Sequence, residues 1–191
     1  MHLLIGIVGA LQVAGAQAPQ PIRVRIETPL GVIEAEIDSA RAPRTATNFL
    51  AYVDAGAYTR SRFHRTVHEA NQPNDSVRIA VVQAGIDTST GARDREPLAL
   101  ERTSVTGLRH LDGTLSMARG GPDTATSSFF ICIGDQPSLD FGGGRNRDGQ
   151  GFAAFGRVTS GMDVVRAIQR SPADGQRLTP PVPILRIERV K

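Results

Sequence analysis

Tryptophan is absent, tyrosine occurs twice, and aromatic residues make up 5% of the 191 positions. A core must therefore be built mainly from aliphatic side chains and a few phenylalanines. Cysteine occurs once, at Cys132, which excludes a disulfide within the chain and any cysteine metal cluster. It sits in the apolar run Phe129 to Ile133, where a buried, inert thiol is expected. Lysine also occurs once, at Lys191, and the other cations are arginines scattered singly, with no block that would mark a basic arm. With 22 basic against 19 acidic residues, the charge balance gives no support to nucleic-acid binding. His64, His68 and Glu69 fall across a strand end and a loop rather than on one helix face, so neither a metal site nor a cofactor is expected.

Apolar runs are short except at the N-terminus, where Leu3 to Ala16 are apolar or small apart from Gln12. That stretch is too short to span a bilayer and stands where a secretory signal has its apolar region. Ala14-Gly15-Ala16 has the A-x-A form of a cleavage site. The expected organisation is a signal peptide over 1–16, a linker over 17–21 and one domain over 22–191, in a monomer that is exported to the periplasm or secreted. Met1-His2 carries no lysine or arginine, so a retained membrane anchor is the alternative, and membrane contact is expected only in that case.

Within the domain, Ile22, Val24 and Ile26 alternate with Arg23, Arg25 and Glu27, and Ile33, Ala35 and Ile37 alternate with Glu34, Glu36 and Asp38. Two half-buried strands joined by Thr28-Pro29-Leu30-Gly31 make a hairpin. Pro43 opens a helix with Ala46, Phe49, Leu50 and Val53 on one face, ending near Gly56. Short strands are expected over Ser61–Arg65, Ile79–Gln83, Thr114–Met117, Phe129–Ile133 and Phe152–Val158. A second helix carries Met162, Val165 and Ile168, capped by Ser160 and stopped by Ser171-Pro172. In the last strand Leu185 and Ile187 alternate with Arg186 and Glu188. The polar stretch Thr66–Arg78 reads as an exposed, mobile loop, and Gly142–Gly151 as a flexible connection. About eight strands and two helices describe an all-β barrel or sandwich.

Several segments in order narrow this choice: Phe63-His64-Arg65, Val82-Gln83-Ala84-Gly85, Gly113 to Arg119 followed by Ser127 to Cys132, Leu139-Asp140, and Phe155-Gly156-Arg157-Val158. This set resembles the cyclophilin family over about Ile22 to Val190. The resemblance implies a closed eight-stranded antiparallel β-barrel capped by two α-helices, with a groove on its outer surface that isomerises X-Pro bonds in proline-containing polypeptide segments. Arg65 would donate to the prolyl nitrogen, Phe130 would floor the proline pocket, and Gln83 would hold the substrate carbonyl region. Ala118 and the backbone of Arg119 would align the preceding residue, and Leu139 would help to close the pocket. The family's aromatic and methionine positions before the glutamine are Ala80 and Val81 here, its groove His or Tyr is Phe152, and the aromatic before Leu-Asp is Ser138. Those departures leave a non-catalytic module that binds proline-containing segments as the alternative.

Overall fold

The computed structural model describes residues 21–190, so the expected signal peptide lies outside the described residues. Ten strands form one antiparallel sheet: β1 (Ile22–Thr28), β2 (Gly31–Ile37), β3 (Arg62–Val67), β4 (Val81–Gly85), β5 (Thr114–Met117), β6 (Phe129–Cys132), β7 (Ala153–Ser160), β8 (Ala173–Asp174), β9 (Arg177–Pro183) and β10 (Arg186–Arg189). The helices are α1 (Pro43–Asp54), the single turn α2 (Thr103–Thr106) and α3 (Met162–Gln169). The strand order is β10-β1-β2-β7-β5-β6-β4-β3-β9-β8. No hydrogen-bonded ladder joins β10 to β8, so the closed eight-stranded barrel expected from the sequence is found as a ten-stranded roll that is not closed by hydrogen bonds. Val24, Ile26 and Ile187 from one end and Leu178 and Val182 from the other still enter the same apolar cluster.

The extra strands come from the segment 173–183, which the sequence pattern leaves as a loop. Pro180, Pro181 and Pro183 lack the N–H that a ladder needs, and β9 meets β3 only around Phe63↔Val182, Arg62↔Pro183 and Arg65↔Arg177, with the intervening residues out of register.

Inward residues follow the alternation: Val24, Ile26, Ile33, Ala35 and Ile37 are fully buried. Phe49 of α1 packs its ring against Tyr58, Phe129 and Phe155 at centroid distances of 5.0–5.5 Å. No side chain on α1 caps its own start. Glu101, from a distant loop, accepts from the backbone N–H groups of Arg44 (3.1 Å) and Thr45 (2.8 Å) and from the Thr45 hydroxyl (2.6 Å). A carboxylate there also meets the positive end of the helix dipole.

Two local expectations change. Ser160 is the last residue of β7, paired with Glu34, and the cap of α3 is Gly161 at φ 90°. A Cβ at Gly161 would lie 2.3 Å from the Val32 carbonyl oxygen, so the close approach of backbones admits only glycine. Leu185 points outward at 52% exposure because Ile184 and Ile187, three residues apart, both turn inward.

Replacing the remote cap, Glu101→Ala, is expected to lower the unfolding free energy by about 1–2 kcal/mol. Urea titration should show a lower midpoint at unchanged slope.

Candidate active site

Neighbouring residues along β4 and β6 go to opposite sides of the sheet. Val82, Ala84, Phe129 and Ile131 enter the main core, whereas Val81, Phe130 and Cys132 form a second apolar cluster on the outer face with Val67, Ile79 and Leu139. Burial raises the Cys132 thiol far above its ordinary range, which matches its expected inertness.

The register carries Arg65 to this outer face. Phe63 pairs with Ala84 and Arg65 with Gln83, so His64 is an extra residue on β3, a β-bulge. Strict alternation would give Arg65 the same face as the fully buried Phe63, and the bulge re-aims it outward. Arg65↔Gln83, Gln83↔Phe130 and Phe130↔Ser116 then form one lateral row across β3, β4, β6 and β5.

All eight residues singled out in the sequence, Arg65, Val81, Gln83, Ala118, Arg119, Phe130, Leu139 and Phe152, line one pocket of about 250 Å³. Phe130 lies at its base with Phe152 edge-on at 5.4 Å, and Leu139 is fully buried beneath. Ala80 does not line it; Ile79 does.

Arg65 is held by neutral groups. Its Nη1 donates to Gln83 Oε1 (3.0 Å), and its Nε and Nη2 both donate to Gln176 Oε1 (2.9 and 2.5 Å). Burial, and after it the nearby Arg145, lowers the guanidinium's affinity for its proton, but it stays cationic. Gln176 escapes sequence reading because it belongs to the β8–β9 turn, itself obscured by prolines. Its Nε2 donates to the Asn71 carbonyl (3.2 Å), while Asn71 Nδ2 donates to Gly175 O and Thr66 O (both 3.0 Å).

The two long loops are built rather than slack. In 66–78 the buried Gln72 amide donates to the carbonyls of His68 and Ile79 (2.8 Å each) and accepts from Ile79 N (3.2 Å). In 142–151, Arg145 N donates to the Ser138 carbonyl (3.1 Å) and Arg145 Nη1 to Val77 O (2.7 Å), with Asp75 at 3.0 Å. Arg145 and Asn146 thereby join the pocket lining. Asn146 Nδ2 is buried with no hydrogen-bond partner, an unusual state for a donor. The Arg119 guanidinium is engaged elsewhere: bidentate to Asp148 (2.8 and 2.9 Å), bonded to Gly151 O (2.8 Å) and 5.1 Å from the Phe152 ring centre. Only the Arg119 backbone is free for the alignment expected of it.

Beneath Phe130 lies a buried Asp-His-Ser chain that the sequence does not announce. The His110 ring stacks on Phe130 (6.0 Å, 18°), with Nδ1 2.7 Å from Asp140 Oδ1 and Nε2 2.9 Å from Ser116 Oγ. Burial pushes Asp140 up, and hydrogen bonds from the His110 ring and backbone N–H outweigh it, so the carboxyl is held below its usual range. The atoms resemble a hydrolytic triad, yet Ser116 is fully buried on β5, out of reach of any substrate carbonyl. The chain supports the floor instead.

The site is an outer-face pocket with an apolar aromatic base and a cation at its rim, on an antiparallel roll with helices α1 and α3 packed into its core. Comparison with known proteins narrows the class. The family model for cyclophilin type peptidyl-prolyl cis-trans isomerases matches residues 23–189. The chain is 34% identical over 162 residues to the peptidyl-prolyl cis-trans isomerase cyp18 of Streptomyces antibioticus, covering 84% of this chain and 91% of that protein. It is 35% identical over 168 residues to a peptidyl-prolyl cis-trans isomerase of Acinetobacter baylyi, covering 87% and 81%. A crystal structure of a Cryptosporidium parvum cyclophilin superposes with a TM-score of 0.73 at 24% identity, covering 90% of this chain and 99% of that one; another was determined in the presence of the dipeptide Ala-Pro. The chain belongs to the cyclophilin-type peptidyl-prolyl cis-trans isomerases.

The Arg119 hydrogen bonds, then the Gln150 backbone N–H, depress the Asp148 carboxyl from 3.8 to about 2. A depressed acid stabilises the fold above its unfolded value and loses that contribution as pH falls through the folded one. Acid unfolding followed by circular dichroism should therefore show Asp148→Asn losing less stability than the parent between these two values.

Proposed function

We propose that this protein accelerates rotation about X-Pro bonds in exported polypeptides, with Arg65 donating to the prolyl nitrogen and Phe130 flooring the pocket for the proline ring. One observation carries the reading: the Arg65 guanidinium stands at the pocket rim held by two amide oxygens and no carboxylate. Its charge is left for the substrate.

Rotation about a peptide bond meets a barrier of about 18–20 kcal/mol, because the nitrogen lone pair is delocalised into the carbonyl. At the twisted geometry the lone pair localises and becomes an acceptor. A fixed cationic donor meets it more strongly there than in the planar ground state, and that difference is what speeds the reaction. Gln83 and Gln176 together occupy three of the guanidinium's five N–H groups and set its plane, so no reorganisation is needed as the bond turns. Asn146 Nδ2, the unpartnered donor, and the Arg119 backbone are suited to hold the substrate's carbonyl and chain direction, with Ala118, whose N–H is bonded to the Ser128 carbonyl, bordering them. The Ala-Pro dipeptide used with the Cryptosporidium relative supports proline-containing segments as the ligand. Export rests on the apolar run Leu3–Ala16 and the Ala14-Gly15-Ala16 site.

Arg65→Ala is expected to reduce catalysis about ten- to hundredfold in a peptide exchange measurement, with affinity changed much less. Arg65→Lys should restore only part of it, because an ammonium lacks the planar fork. Wild-type exchange rates in a folded Arg65→Ala protein would remove the catalytic role and leave a binding module. Mass spectrometry of the protein recovered outside the cytoplasm should show a chain beginning at Gln17.

A further inference from the structure

A second depression, of about 480 Å³, lies on the other side of Arg65 and is lined by Arg62, His64, Arg65, Gln176, Arg177 and Pro181. Three of its six residues are arginines and none is a carboxylate. Arg177 stands directly across the strand pair from Arg65, an arrangement of like charges that ordinarily destabilises a sheet. Its guanidinium is exposed and forms no ion pair among the described residues. Its own cross-strand neighbour on β8 is Asp174, which makes no ion pair with it. Of the acids around the depression, Asp87 takes one side of Arg62, and Asp75 is held by Arg145. Burial depresses the proton affinity of His64, a hydrogen bond with the Arg62 backbone opposes it, and the charges of Arg65 and Arg62 add smaller contributions to the depression. Two of the three arginines, Arg65 and Arg177, have no carboxylate partner among the described residues, and such a concentration of cations next to a ligand site breaks the usual rule of mixed surface charge, as happens where function requires it.

We infer that this depression is an anion subsite continuous with the proline pocket through Arg65, and that it takes the carboxylate side chain of a glutamate or aspartate flanking the proline in the bound polypeptide. Arg177 and the free face of Arg62 supply planar donor forks suited to a carboxylate. A carboxylate there gains a charge-assisted pairing that a neutral amide lacks, so the chain is selective for acidic segments among proline-containing ones. The inference rests on the proline pocket being the substrate site.

The test uses the full chain and a series of X-Pro peptides blocked at both ends, with glutamate or glutamine placed in turn at each position flanking the proline. At one position the glutamate peptide should have a kcat/KM about three- to thirtyfold above its glutamine twin, mainly through KM, and the ratio should shrink as salt is added. Arg177→Gln should bring the ratio to about 1–2, and Arg177→Lys should keep an intermediate value. Equal kcat/KM for each pair at every position would overturn the subsite, as would a ratio that survives in Arg177→Gln. Absence of turnover with every peptide would instead overturn the isomerase reading on which the subsite rests.

Discussion

Everything at the pocket depends on one extra residue in one strand. Without His64 as a bulge, the two-residue period of β3 would aim Arg65 at the aromatic core beside Phe63, where an unpaired guanidinium would be untenable. With it, Thr66 and Phe63 both face inward while Arg65 faces out over Gln83. The bulge therefore satisfies two demands that strict alternation cannot satisfy together, a continuous core and a cation outside it. The neighbouring strand β9 yields at the same place, and its Pro180 and Pro181 sit where register with β3 is lost.

Much of the chain was legible because burial imposes its period on the residues. The β1–β2 hairpin reads directly, α1 begins at its proline, and Phe129 and Phe130 separate into two apolar clusters as alternation demands. The eight pocket residues came from ordered motifs, and the fold does gather them. What could not be read was set by long-range contact. A bulge leaves no mark in Phe63-His64-Arg65, since the same letters fit a regular strand. Gln176 lies in a turn flanked by proline-rich sequence, and its importance exists only through Arg65. The polar and glycine-rich character of 66–78 and 142–151 suggested slack loops, yet Gln72 and Arg145 tie both to backbone carbonyls, which composition alone does not reveal.

The electrostatics divide into two regimes. Around Arg65 the partners are amides, so the cation is oriented without being neutralised. Around Arg119 and Asp140 the charges are closed on themselves: Arg119 by Asp148, and Asp140 by Arg109 together with the His110 hydrogen bonds. The closed pairs hold the walls and floor, and the cation at the rim keeps its charge uncompensated by any carboxylate among the described residues. The same distinction explains why the Asp140-His110-Ser116 chain, for all its resemblance to a nucleophilic triad, acts here as scaffolding under an aromatic ring.

The lateral row from Arg65 through Gln83 and Phe130 to Ser116 is spaced by backbone hydrogen bonds that every strand must make. Loops of different length can be grafted at either end of these strands without altering that spacing, because the ladder is indifferent to what connects it. The pocket is accordingly modular in construction: the sheet fixes the spacing of its base, while the loops at its rim can change in length without moving that base.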